Sequence, residues 1–360
     1  MKKTLLASLV AVNICAVTPA MAEDIHSELA TLKARIQQLE KNLEQQKVQR
    51  SEEQNWSKKV SVSGSAEFLG TISENDAGDS KSDLDMDSVE LTIDAEINDN
   101  IALSTTLKYE DDNEEQDFYV DEAIIEIGSD DNPWALTLGR TGIPFSVING
   151  SAWTDPLTDD LTDNTDDLAQ LSYSNGALNT DVYIFRAKHD SEEENSVENF
   201  GFNVGINFDN GMSIGAGYLN NIRNTEAFDA DSLTSNDEVS TYRVNISYEI
   251  NALALSAEYI KTDSFDNISG QPKVTVWHTS ADYGFDLLGA PGNLSLGYSE
   301  TDNAERLTNE GEILFAKSRL TAGASRELSE NAEVIIELVR EESYSGDNTD
   351  SLNIVLSTAF

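Results

Sequence analysis

Between Thr141 and Asp167 the chain places six aspartates, Asp155, Asp159, Asp160, Asp163, Asp166 and Asp167, with no lysine or arginine among them. Carboxylates lining a narrow opening attract cations and repel anions over distances at which salt screens incompletely. The bases that could oppose them, Lys108, Arg243, Lys317 and Arg319, lie far away in sequence, each on a polar row. An acidic segment facing such a basic wall would create a transverse field that orders polar solutes. The alternative is that each base pairs locally with Glu90, Glu122 or Glu337.

Other chemistry finds little support in the residues. A hydrolase needs a nucleophile oriented by a base, and the histidines are His26 on the helix, His189 in a long connection and His278 in a strand; only His278 shares a strand face with a serine, Ser280, two residues on. No catalytic residue is assigned, and the chain is expected not to be an enzyme. Asp83, Asp85 and Asp87 follow a calcium-loop spacing, but Ser88 stands where that loop needs glycine. No metal site and no cofactor are expected. The one cysteine, Cys15, falls in a leader, which leaves no thiol for disulfides or nucleophilic catalysis.

Residues 1–22 read as a secretory signal, with Lys2 and Lys3 before an apolar stretch and Ala20-Met21-Ala22 at its end. From Glu23 to Arg50, Ile25, Leu29, Leu32, Ile36, Leu39 and Leu43 alternate at spacings of four and three, which predicts a short coiled-coil helix on the periplasmic side, able to form a homo-oligomer. Packing of this helix back on its own chain is the alternative. Residues 51–58 form a linker to a body at 59–360. With 66 acidic against 23 basic residues and a net charge of −43, nucleic acid is excluded as a partner.

In that body the period becomes two. Val89, Leu91, Ile93, Ala95 and Ile97 alternate with Ser88, Glu90, Thr92, Asp94 and Glu96, and Phe200, Phe202, Val204 and Ile206 alternate with Asn199, Gly201, Asn203 and Gly205. About sixteen such segments follow one another, starting near residues 59, 88, 101, 118, 134, 168, 178, 199, 212, 239, 252, 273, 293, 312, 332 and 351. Tight turns such as Asn175-Gly176 alternate with long connections such as Ser73 to Asp85 and Asn220 to Glu238. No apolar run is long enough for a spanning helix. A bilayer offers no water to an open sheet edge, so strands that cross it must close. The expected fold is all-β: a transmembrane up-and-down antiparallel β-barrel of about sixteen strands after a short helix. Tyr109, Tyr218, Tyr248, Tyr259 and Tyr298 suit interfacial girdles, and Phe360 ends the last apolar row as a signal for barrel-assembly machinery. A soluble β-sandwich would have to bury too many apolar faces in one core.

If the first strand ascends from the periplasm, 141–167 lies in the third outer loop. Gly139-Arg140, Pro144-Phe145 and Thr154-Asp155-Pro156-Leu157-Thr158 resemble the LbtU-type siderophore porins, which likewise combine a signal, a coiled coil and a barrel. The resemblance to sixteen-stranded porins implies that this loop folds into the lumen and sets a constriction. It further implies location in the outer membrane of a Gram-negative bacterium, among its lipids and lipopolysaccharide, and passage of small solutes including iron-siderophore chelates. The loop's own acidity adds a preference for cations. A structural or adhesive barrel whose acidic loops bind divalent cations and lipopolysaccharide is the rival expectation.

Overall fold

On a strand, successive side chains leave on opposite faces, so two interleaved rows of unlike polarity must end up in unlike surroundings. In the computed structural model the rows of 199–206 part in this way. Phe200, Phe202, Val204 and Ile206 are 36–47% exposed on the outside, whereas Asn199 and Asn203 are buried inside. The structure describes residues 59–110, 118–129, 131–145, 150–186, 197–228, 238–309 and 312–360, together with Arg35. The signal 1–22, the seam from Ile25 to Leu43 and the linker 51–58 lie outside the described residues.

The strands are β1 (Val60–Asn75), β2 (Ser80–Asn98), β3 (Ile101–Glu110), β4 (Tyr119–Ile127), β5 (Trp134–Gly142), β6 (Thr165–Ser174), β7 (Leu178–Phe185), β8 (Asn199–Asn207), β9 (Met212–Leu219), β10 (Thr241–Ile250), β11 (Leu253–Ser264), β12 (Lys273–Leu287), β13 (Ala290–Asp302), β14 (Thr308–Asn309), β15 (Glu312–Ile313), β16 (Ser318–Ser329), β17 (Ala332–Glu342) and β18 (Asn348–Ala359). All but β14 and β15 form one closed antiparallel barrel of sixteen strands. Each pairs with its neighbours in sequence, and β1 closes onto β18 from Ser65↔Ala359 to Asn75↔Thr349. Closure leaves no backbone edge toward lipid.

Two strand positions differ from the sequence expectation. The first outer connection is not the long loop Ser73 to Asp85 but the turn 76–79, because β1 and β2 stay paired as far as Glu74↔Ser80. A bulge beside Glu67/Phe68 inserts Asp87 and reverses the parity, returning Leu84 and Met86 to the outer face. Unbroken alternation would have turned them inward, which hid the strand. Near 312, Glu312–Ile313 pairs only with Thr308–Asn309, and the barrel strand begins at Ser318.

The long outer connections do not all face solvent. Leu168, Tyr183, Phe185, Ile260, Val274 and Val276 point inward from the wall and pack with Ile222, Phe228, Val239, Phe265, Leu307 and Phe315 from the outer connections. Ile143, Phe145 and Leu161 of the third loop join the same cluster. One side of the outer barrel is therefore filled by an apolar core, and open space is left along β1–β3 and β16–β18.

Candidate constriction site

A loop inside a barrel must find acceptors for its backbone N–H groups, and the inward row of the wall supplies them. At the root of segment 143–164, Arg243 donates to the Phe145 carbonyl and lies over the Phe145 ring, 5.6 Å from its centroid. Gly150 (φ 119°) sits against β12, where a Cβ would stand 3.1 Å from that of Ser280. The Ser151 N–H then donates to Asp282 at 2.9 Å. Glu337 of β17, wholly buried, accepts from the N–H groups of Trp153 (2.9 Å) and Thr154 (3.1 Å) and from the Thr154 hydroxyl. The Trp153 indole N–H reaches Glu67 of β1 at 3.1 Å.

After Pro156 the loop forms the short helix Leu157–Thr162. Leu157, Thr158, Asp159, Leu161 and Thr162 are buried, and the Leu157 N–H donates to Ser299 at 3.2 Å. Asp160 turns the other way and meets Arg319 of β16 at 2.9 Å. Arg319 also pairs with Glu341 at 2.6 Å and donates to the Asp155 carbonyl at 2.6 Å. The third loop thus spans the lumen from β5 and β6 to β12, β13, β16, β17 and β1 and narrows what remains.

Two water-accessible spaces flank Arg319 and Asp160. The outer one, about 570 Å³, lies against Asn75–Ala77, Ile313–Ala316, Ser343, Tyr344 and 347–349. The inner one, about 600 Å³, is lined by Glu67, Asp87, Glu90, Glu110, Asp155 and Asp160 but only two bases, Lys108 and Arg319, with Trp153 on the loop side. Lys108 is held by Glu110 at 2.6 Å and by Glu90 at 3.7 Å. Burial raises the Asp155 and Asp160 carboxyls above the ordinary aspartate value. Asp160 and Asp163 push Asp155 the same way, and Arg319 opposes the shift in both.

The sequence-selected residues separate accordingly. Of the six aspartates, Asp155 and Asp160 line the passage, Asp163 is exposed after the helix, and Asp159 and Asp166 are buried. Asp166 and Asp167 belong to β6, with Asp167 3.8 Å from Arg186. Among the bases, Lys108 and Arg319 line the passage, but Arg243 is buried under the loop and 3.9 Å from Glu258. Lys317 pairs at 2.6 Å with Glu342, which shares the outward row of β17 with Leu338 and Arg340, so it is outside the lumen. The wall opposite the loop is therefore mainly acidic, which replaces the expected acidic-to-basic field. His278 and Ser280 do share the inward face of β12, where Ser280 bonds to Ser256 at 2.5 Å. Parity read from sequence missed Trp153, Glu67 and Asp282; Glu67 and Asp282 stand on polar rows, and Trp153 stands out as a tryptophan amid aspartates.

Solved structures of similar fold include porins. The chain aligns with Salmonella typhi OmpF, solved with daunomycin, at 17% identity and a TM-score of 0.61, covering 84% of this chain and 97% of that one. An anion-selective porin from Comamonas acidovorans gives 14% identity and 0.58, covering 84% and 99%. At these identities the likeness concerns the fold. A curated relative from Coxiella burnetii, described as a UPF0422 protein, is 27% identical over an alignment of 207 residues that covers 52% of this chain and 44% of that protein. The Gram-negative porin family matches residues 7–346, and the chain belongs to it as an outer-membrane porin.

Proposed function

We propose that this porin passes small solutes by diffusion along an eccentric route beside β1–β3 and that it prefers cations. The observation behind this reading is the excess of six carboxylates over two bases around the inner space, with both bases already held by acids. A cation entering there exchanges bulk water for fixed negative charge in a confined volume, where attraction is stronger than in open solution. The role is that of a channel and not of an enzyme.

Asp155 and Asp160 are the loop's contribution to that charge. Replacing both by Asn removes two charges at nearly constant volume. The cation-to-anion permeability ratio, read from reversal potentials in a KCl gradient, should fall about fivefold or more, because a unit charge at about 4 Å in bulk water is worth roughly 1 kcal/mol. Acidification should lower the ratio in wild type at a pH above that at which ordinary aspartates titrate, because both folded values are raised. Equal reversal potentials for wild type and the double variant would remove the loop from the selectivity mechanism.

Iron-chelate passage, suggested by the resemblance to siderophore porins, requires under this reading a chelate that is neutral or cationic. Uptake of such a chelate into proteoliposomes, compared with an anionic one, tests it. Recognition of Phe360 by the assembly machinery and association through the seam from Ile25 to Leu43 are further proposals.

A further inference from the structure

Trp153 is out of place by simple burial arguments. Of the tryptophans in the described residues, Trp134 and Trp277 face outward and pair with Tyr173 and Tyr298, as membrane-interface rings do. Trp153 instead hangs inside the lumen, half-buried, on the wall of the inner space. Among the described residues no ring stacks on it, and the cation–π contacts are elsewhere, Arg223 over Phe265 and Arg243 over Phe145. An indole left beside water in a passage of carboxylates costs apolar hydration and gains no core contact.

The indole is nevertheless held firmly. Its backbone N–H is bound by buried Glu337, and its ring N–H by Glu67 on β1. The ring is thereby fixed between the loop and the opposite wall, with Glu67, Glu90, Glu110, Asp155 and Asp160 around the same space. Carboxylates supply attraction for any cation; an indole face adds attraction specifically for a poorly hydrated organic cation, whose charge is spread over apolar groups.

We propose that Trp153 is a recognition surface for organic ammonium solutes in the constriction, so that the channel selects among cations by their apolar substituents as well as by charge. This rests on the cation-preferring reading above. A simple brace between the loop and β1 is the competing role, and it depends on the indole N–H, not on the ring face.

The experiment uses the full-length porin in a planar bilayer, bathed in KCl, with tetramethylammonium chloride added to one side. The readout is the concentration that halves the potassium current. Trp153→Leu should raise that concentration at least about threefold, while Trp153→Phe, which keeps a ring but loses the bond to Glu67, should stay within about twofold of wild type. Leu and Phe variants that behave alike would mean a brace or a size effect and would overturn the proposal. So would reduction of current by sucrose but not by tetramethylammonium, because a neutral sugar also lies on an indole without needing the carboxylates. Reversal potentials of the wild type in a KCl gradient separate the two levels. A wild type without cation preference removes the charge reading itself. A cation-preferring wild type whose block is indifferent to Trp153→Leu removes only the role of the indole.

Discussion

A carboxylate with no surface in water is costly unless its oxygens are hydrogen bonded, and among the described residues Glu337 meets that condition through the third loop, with two backbone N–H groups and the Thr154 hydroxyl. Each hydrogen bond to a charged group contributes about 1.5–3 kcal/mol, so this one side chain fixes the loop tip against the wall. Glu337→Ala should therefore release Trp153 and Thr154, giving larger current fluctuations in single-channel records. Because β17 pairs with β16 and β18 through its backbone, the folded band on unboiled gels should persist. Quiet channels of wild-type conductance would show that the tip is held elsewhere. The inward parity of Glu337 was legible in the sequence, since it follows from alternation. Its partner was not: parity suggested a base, whereas the partner is the backbone of a segment 183 residues away.

At the scale of elements, strands were legible because a two-residue period is written along each of them, and the outer connections were not because irregular segments carry no period. The apolar residues within those acidic connections were the available signal. Phe228 packs on Phe265 and Phe315 at 5.4 and 6.2 Å, joining three separate connections into one core against which Leu161 of the helix Leu157–Thr162 also packs. A large-to-small change at such a site costs about 3–5 kcal/mol, which falls on the connections rather than on the closed sheet. Phe228→Ala should leave β dichroism and heat-modifiable migration intact but make the outer connections open to limited proteolysis and raise mean conductance. Protease resistance equal to wild type would mean that the core tolerates the cavity and that the connections are held by their strands alone. The bulge at Asp87 is a further case of hidden structure: one extra residue reversed the parity of Leu84 and Met86, and a reading by strict alternation began the strand too late, near residue 88 instead of at Ser80.

For the whole molecule, the strand number followed from counting alternating segments and closure from the requirement that no strand edge meet lipid, while the position of the open route depended on which side the loops fill, a question of tertiary packing that no local pattern records. Net charge acts at this scale too. The chain carries −43, far more than the six carboxylates of the inner space alone, so the proposed cation preference would have a near part from Asp155, Asp160 and their neighbours and a distant part from the rest of the surface. Salt separates them. The Debye length falls from about 10 Å at 0.1 M to about 3 Å at 1 M, so distant charges are screened out while carboxylates touching the permeating ion still act. At a fixed ratio of salt across the membrane, raising the absolute concentration should lower the permeability ratio of wild type to a plateau that still favours cations. In the Asp155→Asn, Asp160→Asn double variant the same titration should start lower and end nearer to unity, because its remaining preference owes more to distant charge. Parallel curves for the two proteins, displaced by a constant at every salt concentration, would contradict this division into near and distant parts. A wild-type curve that falls to unity would assign the whole preference to the surface and leave the carboxylates of the constriction without a part in it.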